Sequence, residues 1–224
     1  MFNGFRDRRD AGILLSKSLA RFKERSDTVV LALPRGGVPV AYEVACALKL
    51  PLDIVVVRKL GVPGHEEFAF GAVASGGVRF LNGGIVNSLR MTDAMVERVI
   101  EREELELERR EKLYRGDRPA LNLHGKIVIV VDDGLATGAS MRVAIESIKA
   151  LEPKQIIVAA PVASRDTCEE LKDEADVLCI CAVMPEPFYA VGLWYEDFSQ
   201  TTDEEVRELL TKAEMETHKA AQFA

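Results

Sequence analysis

The stretch from Ile127 to Ser140 reads IVIVVDDGLATGAS, and it decides the fold class of this chain. Its first five residues are apolar and mostly β-branched, which predicts a strand that is covered on both faces. Asp132 and Asp133 follow, then small and hydroxyl-bearing residues, and then apolar residues at helical spacing until Pro153. We therefore expect a strand, a tight loop and a helix, with two acids at the carboxyl end of the strand.

This loop predicts a site for a ligand that carries both phosphate and hydroxyl groups. The free backbone N–H groups at a helix N-terminus, together with the helix dipole, attract phosphate. Asp132 and Asp133 would repel phosphate, so we expect them to bind hydroxyl groups or to lie beside a bound metal ion. The alternative is an ordinary buried strand that ends in a solvated acidic turn, and a bare Asp-Asp-Gly sequence would favour that alternative.

The complete fourteen-residue pattern resembles the 5-phosphoribosyl-1-pyrophosphate (PRPP) signature of type I phosphoribosyltransferases. That signature consists of an apolar strand, two acids, variable residues, and then Thr-Gly followed by a small or hydroxyl residue. The stretch lacks the Gly-x-x-x-x-Gly-Lys-Ser/Thr and Gly-x-Gly-x-x-Gly patterns of other phosphate-binding loops. The resemblance implies a three-layer α/β fold, in which a mostly parallel central sheet has flanking helices and a small hood, and we expect residues 1–224 to form one such domain.

A second segment matches the family at the expected place, after the first core strand. Pro34-Arg35-Gly36-Gly37 has two glycines that allow a ligand to approach the backbone closely, and its arginine can bind oxyanions. Alone, this segment would be interpreted as a plain turn. It resembles the pyrophosphate loop of the family, which implies a non-proline cis peptide bond between Pro34 and Arg35.

Residues 58–118 are expected to contain a flexible loop followed by a helical insertion. The segment from Arg58 to Glu67 is heavily charged and interrupted by glycine and proline, which predicts a mobile loop. Family members close such a loop over PRPP, and the Arg58-Lys59 pair resembles the adenine branch of the family. Two short strands around Gly76-Gly77 then predict a hairpin, and Thr92–Arg115 predicts a long charged helix. Solvation explains that charged face, although contact with the active site or a dimer partner remains open.

Residues 184–200 resemble the hood of purine phosphoribosyltransferases, in which backbone and aromatic groups hold the base. The segment crowds aromatic residues, including the single tryptophan Trp194, between prolines and acids. Such residues either line a pocket for a flat ligand or cover the core. The resemblance implies that Trp194 contacts the base and that Glu196 lies near the metal ion.

The resemblance implies transfer of the phosphoribosyl group from PRPP to a nitrogenous base or a related amine, with release of pyrophosphate. Asp132 and Asp133 would hold the ribose hydroxyls and, with Glu196, a Mg²⁺ ion, which prefers hard oxygen ligands. The expected catalytic residues are Asp132, Asp133, Arg58 and Lys59. The residues expected to cradle the 5′-phosphate are Ala136, Thr137, Gly138, Ala139 and Ser140. The residues expected to bind pyrophosphate are Arg35, Gly36, Gly37, Arg58 and Lys59.

Ala136 bears on which base accepts the phosphoribosyl group, but only by excluding one class of bases. In 6-oxopurine transferases an acid occupies this place and serves the base nitrogen, so alanine argues against hypoxanthine and guanine. One alternative function is a catalytically weak regulator of the same fold that senses PRPP or a nucleotide. Another is a different flavodoxin-like or hydrolytic enzyme whose loop matches by chance.

Composition excludes several partner classes. The net charge of −7 provides no general basic surface, so we expect no nucleic-acid partner. The chain has no apolar run of bilayer-spanning length and a polar start, so we expect a cytoplasmic protein without a membrane partner. We also expect a homodimer.

The four cysteines are interpreted as core thiols rather than as disulfides or metal ligands. Cys179-Ile180-Cys181 lacks the Cys-x-x-Cys spacing of many metal and redox sites. We expect the side chains of Cys179 and Cys181 to point to opposite faces of their strand. The remaining two are Cys46 and Cys168.

Overall fold

The computed structural model describes residues 4–175 and 177–222, and its strands form two sheets. The strands are β1 (Thr28–Ala32), β2 (Leu52–Ile54), β3 (Val57–Val62), β4 (His65–Ala74), β5 (Val78–Leu81), β6 (Ile127–Val131), β7 (Gln155–Val162) and β8 (Leu178–Val183). The helices are α1 (Arg8–Ser18), α2 (Gly37–Leu48), α3 (Gly83–Ser88), α4 (Asp93–Arg115), α5 (Ala139–Lys149), α6 (Arg165–Ala175) and α7 (Asp203–Gln222). Within these ranges, no helix combines the length and apolar character needed to cross a membrane.

The larger sheet has the order β2-β1-β6-β7-β8, and all of its neighbouring strands are parallel. All residues of β1 and β6 are buried, as expected for strands covered on both faces. One apolar cluster joins this sheet to α1, α2, α4 and α7, and a second joins the opposite face to α5 and α6. The predicted three-layer α/β fold is therefore confirmed.

Strand β1, helix α2 and strand β2 form a βαβ unit, because β1 and β2 are parallel neighbours. Strand β2 is short and ends at Ile54. The chain then leaves the parallel sheet, because Val57 begins β3 and pairs with Ala74 of β4 in the antiparallel sheet.

The loop predicted from Arg58 to Glu67 is wrong as a description of the backbone, because these residues lie mainly in β3 and β4. Pro63 and Gly64 form the turn between the two strands, and Gly64 has a φ of 81°. Proline followed by a glycine with positive φ is typical of the two central positions of a type II turn. The backbone groups on either side pair with each other, so proline and glycine mark a tight turn here rather than a long loop.

The later parts of this region agree with the sequence. Strands β4 and β5 pair in antiparallel fashion around Gly76-Gly77, which confirms the predicted hairpin. Helix α4 begins after Thr92, whose hydroxyl accepts a hydrogen bond from the Met95 N–H group, and ends at Arg115. Buried residues of β3, β4 and α4 belong to the same apolar cluster as β1 and β6. The antiparallel sheet is thus packed onto the parallel sheet through a shared core.

Residues 184–200, which were predicted to form the hood, lie against the N-terminal segment. They include a short 3₁₀ helix, Val191–Trp194. The Phe5 N–H group donates to the Trp194 carbonyl (2.7 Å), and the Glu196 N–H group donates to the Phe5 carbonyl (2.8 Å). These hydrogen bonds place the segment next to α1.

The expected orientation of the cysteines in β8 is wrong. Cys179 and Cys181 pack on the face of the sheet covered by α5 and α6, whereas Ile180 packs on the other face. Residues two positions apart in a strand share a face, and only successive residues alternate. Both thiols consequently lie beside Cys168 of α6.

Candidate functional site

The site lies where β1 and β6 end side by side. These strands are parallel neighbours, with Ala32 opposite Val131, so the segments that follow them meet at one edge of the sheet. A Cβ atom on Gly36 would lie 2.1 Å from the Asp133 Oδ2 atom, and one on Gly37 would lie 2.7 Å from the Val131 carbonyl oxygen. Any side chain at either glycine would clash. The fold thus brings the Pro-Arg-Gly-Gly turn into contact with the two acids.

The peptide bond between Pro34 and Arg35 is cis, as the family resemblance implied. It belongs to the turn that leads from β1 into α2. The Arg35 side chain is half-exposed, and its Nη1 atom lies 3.8 Å from the Asp203 Oδ1 atom at the start of α7. The predicted anion-binding side chain is thus partly exposed and directed toward the start of α7.

The predicted phosphate cradle is the uncapped N-terminus of α5. Gly138 occupies the position before the helix with a φ of 67°, and it offers no side chain that could cap the first turn. The exposed residues of this loop are Ala136, Thr137, Ala139 and Ser140. This arrangement leaves backbone N–H groups of the first helical turn near solvent, which suits an anionic ligand.

Side chains of α5 and α6 hold the carbonyl groups of the same loop. The Thr167 hydroxyl donates to the Ala136 carbonyl (2.5 Å), and the Arg142 guanidinium donates to the Thr137 carbonyl (2.5 Å). A Cβ atom on Gly138 would lie 2.8 Å from the Thr167 Cγ2 atom, so the helix start packs closely on α6. These contacts fix the loop from behind, and sequence reasoning did not anticipate them.

Asp132 and Asp133 form a half-buried pair of acids. The Asp132 Oδ1 atom accepts the Asp133 N–H group at 2.8 Å. Burial raises the pKa of Asp132 well above its usual range, and the neighbouring charge of Asp133 adds to this increase. Burial also raises the pKa of Asp133, although the guanidinium of Arg8 opposes the rise. A hydroxyl-bearing ligand or a cation would therefore stabilise the ionised pair.

The donor set also fits the predicted Mg²⁺ ion, because carboxylate oxygens are the hard ligands that Mg²⁺ prefers. Asp132 and Asp133 would be its protein ligands. Glu196 is exposed and follows Tyr195, whose hydroxyl donates to the Asp133 carbonyl at 2.5 Å. The structure thus places Glu196 near this edge of the sheet, and its role as a metal ligand stays a prediction.

Arg8 is the main site residue that sequence reasoning missed. Its Nε atom lies 2.9 Å from the Asp133 Oδ2 atom, and the two side chains are only 12% and 16% exposed. Its Nη1 atom donates to the Ser199 carbonyl (2.6 Å), and its guanidinium lies 4.1 Å from the centre of the Phe198 ring. No local pattern signals this pair, because its partners are 125 positions apart.

The hood segment packs directly on the signature loop. A Cβ atom on Gly134 would lie 2.4 Å from the Val191 Cγ1 atom, so the Val191 side chain packs on the backbone of Gly134. Trp194 packs against the small apolar cluster that contains Phe5 and Tyr195. This environment favours the core-covering interpretation for much of the tryptophan ring, and its contact with a base stays a prediction.

Arg58 and Lys59 are not arranged as a pair. The Arg58 Nε and Nη2 atoms both donate to the Glu103 Oε2 atom of α4, at 2.9 and 2.5 Å. Lys59 is exposed, and successive residues of a strand point to opposite faces. Arg58 therefore forms an ion pair with Glu103 of α4. The role of Arg58 and Lys59 in pyrophosphate binding stays a prediction.

Residues 9–193 match the family model described as "Phosphoribosyl transferase domain". The chain belongs to the phosphoribosyl transferase family. It is 42% identical over 209 residues to a Mycobacterium tuberculosis protein named "Putative phosphoribosyl transferase", found in strains CDC 1551 / Oshkosh and H37Rv. The alignment covers 93% of this chain and 47% of that relative, so the chain spans about half the length of the curated relatives it matches.

The same fold is seen in a solved structure at similar identity. The crystal structure of TT1426 from Thermus thermophilus shares 44% sequence identity with this chain and superposes with a TM-score of 0.78. The match covers 93% of this chain and 98% of that chain. The fold is therefore shared over nearly the whole of both chains.

Proposed function

We propose that this phosphoribosyl transferase moves the 5-phosphoribosyl group from PRPP to a nitrogenous base or a related amine and releases pyrophosphate. One observation carries the proposal: the Pro-Arg-Gly-Gly turn contacts Asp132 and Asp133 next to the uncapped N-terminus of α5. Family membership supports the class of reaction, and this arrangement supports PRPP as the donor.

Each part of PRPP has a matching group at this edge of the sheet. The exposed helix start of α5 would bind the 5′-phosphate through its backbone N–H groups. Asp132 and Asp133 would accept hydrogen bonds from the ribose hydroxyls. The backbone of Gly36 and Gly37 and the guanidinium of Arg35 would bind the pyrophosphate. The acids thus separate the two anionic ends of the donor.

The reaction would be a displacement at the ribose anomeric carbon. The bond from this carbon to the pyrophosphate oxygen breaks with its electron pair on oxygen, the acceptor nitrogen forms the new bond, and its proton passes to solvent. Asp132 and Asp133 would orient the ribose, and the loop would hold the 5′-phosphate in place during the step. Mg²⁺, when bound to the acids, supplies positive charge that stabilises the departing pyrophosphate.

The acceptor is defined only by exclusion. Ala136 is exposed, and its carbonyl group is held by Thr167, so this position presents a methyl group and no acid to a bound base. This supports the expectation that 6-oxopurines are poor acceptors. A nitrogen base that needs no carboxylate at this place fits better.

Calorimetry with PRPP and Mg²⁺ tests the donor. We expect wild-type protein to bind PRPP, and the Asp132→Asn/Asp133→Asn variant to lose that binding. A Glu204→Gln/Glu208→Gln variant is the control, because it removes the same charge from exposed positions of α7 and should bind normally. Absence of binding by wild-type protein, or undiminished binding by the Asp132/Asp133 variant, contradicts the proposal.

Turnover separates a transferase from the sensing alternative. If PRPP binds, nitrogenous bases and amines are screened for release of pyrophosphate. Release that depends on a base supports transfer. Binding of PRPP without release for every acceptor would instead support the regulator.

Arg35→Ala tests the assignment of the pyrophosphate end. Loss of a charged hydrogen bond costs about 2 kcal/mol, so we expect the affinity for pyrophosphate to fall roughly 30-fold while ribose 5-phosphate binds almost unchanged. Calorimetry with each ligand provides both constants. Arg25→Ala is the matched control, because Arg25 precedes β1 at the opposite edge of the sheet and pairs with Asp27. Equal losses for both ligands would show that Arg35 does not act on pyrophosphate.

A further inference from the structure

Three thiols come together between α6 and β8, outside the site described above. The sulphur of Cys168 lies 2.9 Å from that of Cys179 and 3.3 Å from that of Cys181, and the last two are 3.7 Å apart. All three are free cysteines. In the part of the chain that the structure describes, they form the one group of three potential metal-binding side chains whose ligand atoms all lie within 4.8 Å of one another.

We propose that Cys168, Cys179 and Cys181 form a three-thiolate site for one thiophilic metal ion, such as Zn²⁺ or Cu⁺. A Zn–S bond is about 2.3 Å long, so two thiolates at tetrahedral angles are about 3.8 Å apart. The largest separation of 3.7 Å already meets this value, and the smallest, 2.9 Å, needs to widen by less than about 1 Å. We expect small rotations of the Cys179 and Cys181 side chains, which are half-buried, to provide that movement.

The fold holds the three ligands in place. Cys179 and Cys181 are on one face of β8, so the strand fixes their spacing, and Cys168 comes from the helix that packs on that face. Two ligands from a strand and one from a packed helix form a preorganised triangle. Packing of α6 on β8 would explain contact between two of the thiols, whereas a metal site needs all three thiols to meet at one point, as they do here.

Charge within the cluster also suits metal binding, because thiolates and not thiols are ligands. Hydrogen bonds from the Cys179 and Cys181 thiols lower the pKa of Cys168 to about 4. The hydrogen bond to Cys168 raises the pKa of Cys179 to about 12. Lys172 of α6 favours the charged forms of both Cys168 and Cys179. Metal binding would displace the protons that the thiols carry, as at other thiolate sites.

The cluster is reached from the side of the parallel sheet where β8 is the last strand. Cys168 is only 2% exposed, whereas Cys179 and Cys181 are half-buried on β8, an edge strand of the parallel sheet. A metal ion can therefore enter past β8, and water or a small thiol can fill the fourth position. The proposal does not rest on PRPP binding, because the measurements below detect metal alone.

Zinc uptake by the reduced full-length chain tests the proposal. Protein is treated with a reductant and a chelator, freed of both, and titrated with ZnCl₂ against a chromophoric chelator. We expect one Zn²⁺ per chain. The affinity should be more than about 100-fold lower in Cys179→Ser and in Cys181→Ser, which exceeds the loss typically seen when a residue that only contacts a metal ligand is replaced. CoCl₂ provides a second probe, since thiolate coordination produces an intense charge-transfer absorption.

Cys46→Ser is the matched control. Cys46 lies on α2, where its thiol donates to the Glu216 carboxylate at 2.8 Å, so this variant should bind Zn²⁺ as the wild type does. Cys179→Ala serves as a second variant at the same half-buried position, and circular dichroism confirms that each variant is folded. No uptake of Zn²⁺ by the wild type, or equal affinity in all variants, overturns the proposal. A disulfide that forms in air, with no Zn²⁺ uptake after its reduction, also overturns it in favour of a redox pair.

Discussion

Arg8→Met removes the counter-charge of Asp133 while keeping most of the apolar stem of the side chain. In the wild type the Arg8 Nε atom lies 2.9 Å from the Asp133 Oδ2 atom. Removal of one partner from a buried ion pair costs about 3–5 kcal/mol. The two side chains are still 12% and 16% exposed to solvent, which weakens the effect. We therefore expect the free energy of unfolding to fall by about 3 kcal/mol at pH 8, the lower end of that range. For a chain of this size that corresponds to a fall in Tm of roughly 6–12 °C.

The loss should depend on pH in a direction that follows from the pKa of Asp133. Burial raises that pKa and Arg8 opposes the rise, so the variant allows it to increase further. A carboxyl group whose pKa is raised in the folded state destabilises the fold when ionised, above that pKa. The difference between variant and wild type should therefore be largest at pH 8 and shrink as the pH falls and Asp133 becomes protonated.

Denaturant unfolding at pH 8 and pH 5, with an Asp133→Asn background, isolates the ion pair. Arg9→Met is the control on the same helix, because Arg9 is 75% exposed in its pair with Glu43 and should cost at most about 1 kcal/mol. A loss below about 1 kcal/mol for Arg8→Met at pH 8 would refute the reasoning. So would a loss of equal size in the Asp133→Asn background, since the carboxylate would then have no part in it.

Two further predictions concern the same acids. The pKa of Asp132 is raised by burial and by the charge of Asp133, so its ionisation destabilises the fold, and Asp132→Asn should raise Tm at pH 8 by roughly 2–4 °C for each kcal/mol recovered. That gain should vanish in acid, where wild-type Asp132 is protonated, and a gain independent of pH would disagree with the assigned cause. Tyr195→Phe removes the hydroxyl that donates to the Asp133 carbonyl and should cost about 1–2 kcal/mol in the free energy of unfolding. Tyr189→Phe, at a position that is 78% exposed, should change nothing measurable, and equal effects of the two substitutions would argue against a structural role for that hydrogen bond.

Features encoded by short stretches of sequence were predicted correctly. The β-branched run before Asp132 and the apolar spacing after Ser140 specify β6 and α5 without help from the rest of the chain. The starts of α4 and α6 are also encoded locally, because the hydroxyl groups of Thr92 and Ser164 accept the N–H groups of residues three positions later. In each case neighbouring residues in the sequence are also neighbours in space.

The prediction between Arg58 and Glu67 failed for the opposite reason. Proline and glycine interrupt this segment, and they occur both in loops and in the tight turns of hairpins. The choice depends on whether flanking residues find partners across the turn. Here β3 and β4 pair, and a side chain of α4 binds Arg58, so the segment became two strands.

The sequence by itself determined the family and the fold class, because the signature, the Pro-Arg-Gly-Gly turn and the strand pattern are local and occur in the order the family shows. Only the tertiary structure decided which side chains complete the site: Arg8 pairs with Asp133, and Tyr195 holds its carbonyl. The cysteine cluster also needed α6 to pack on β8. Such pairings join distant positions through the packing of whole elements, and no pattern along the chain specifies them.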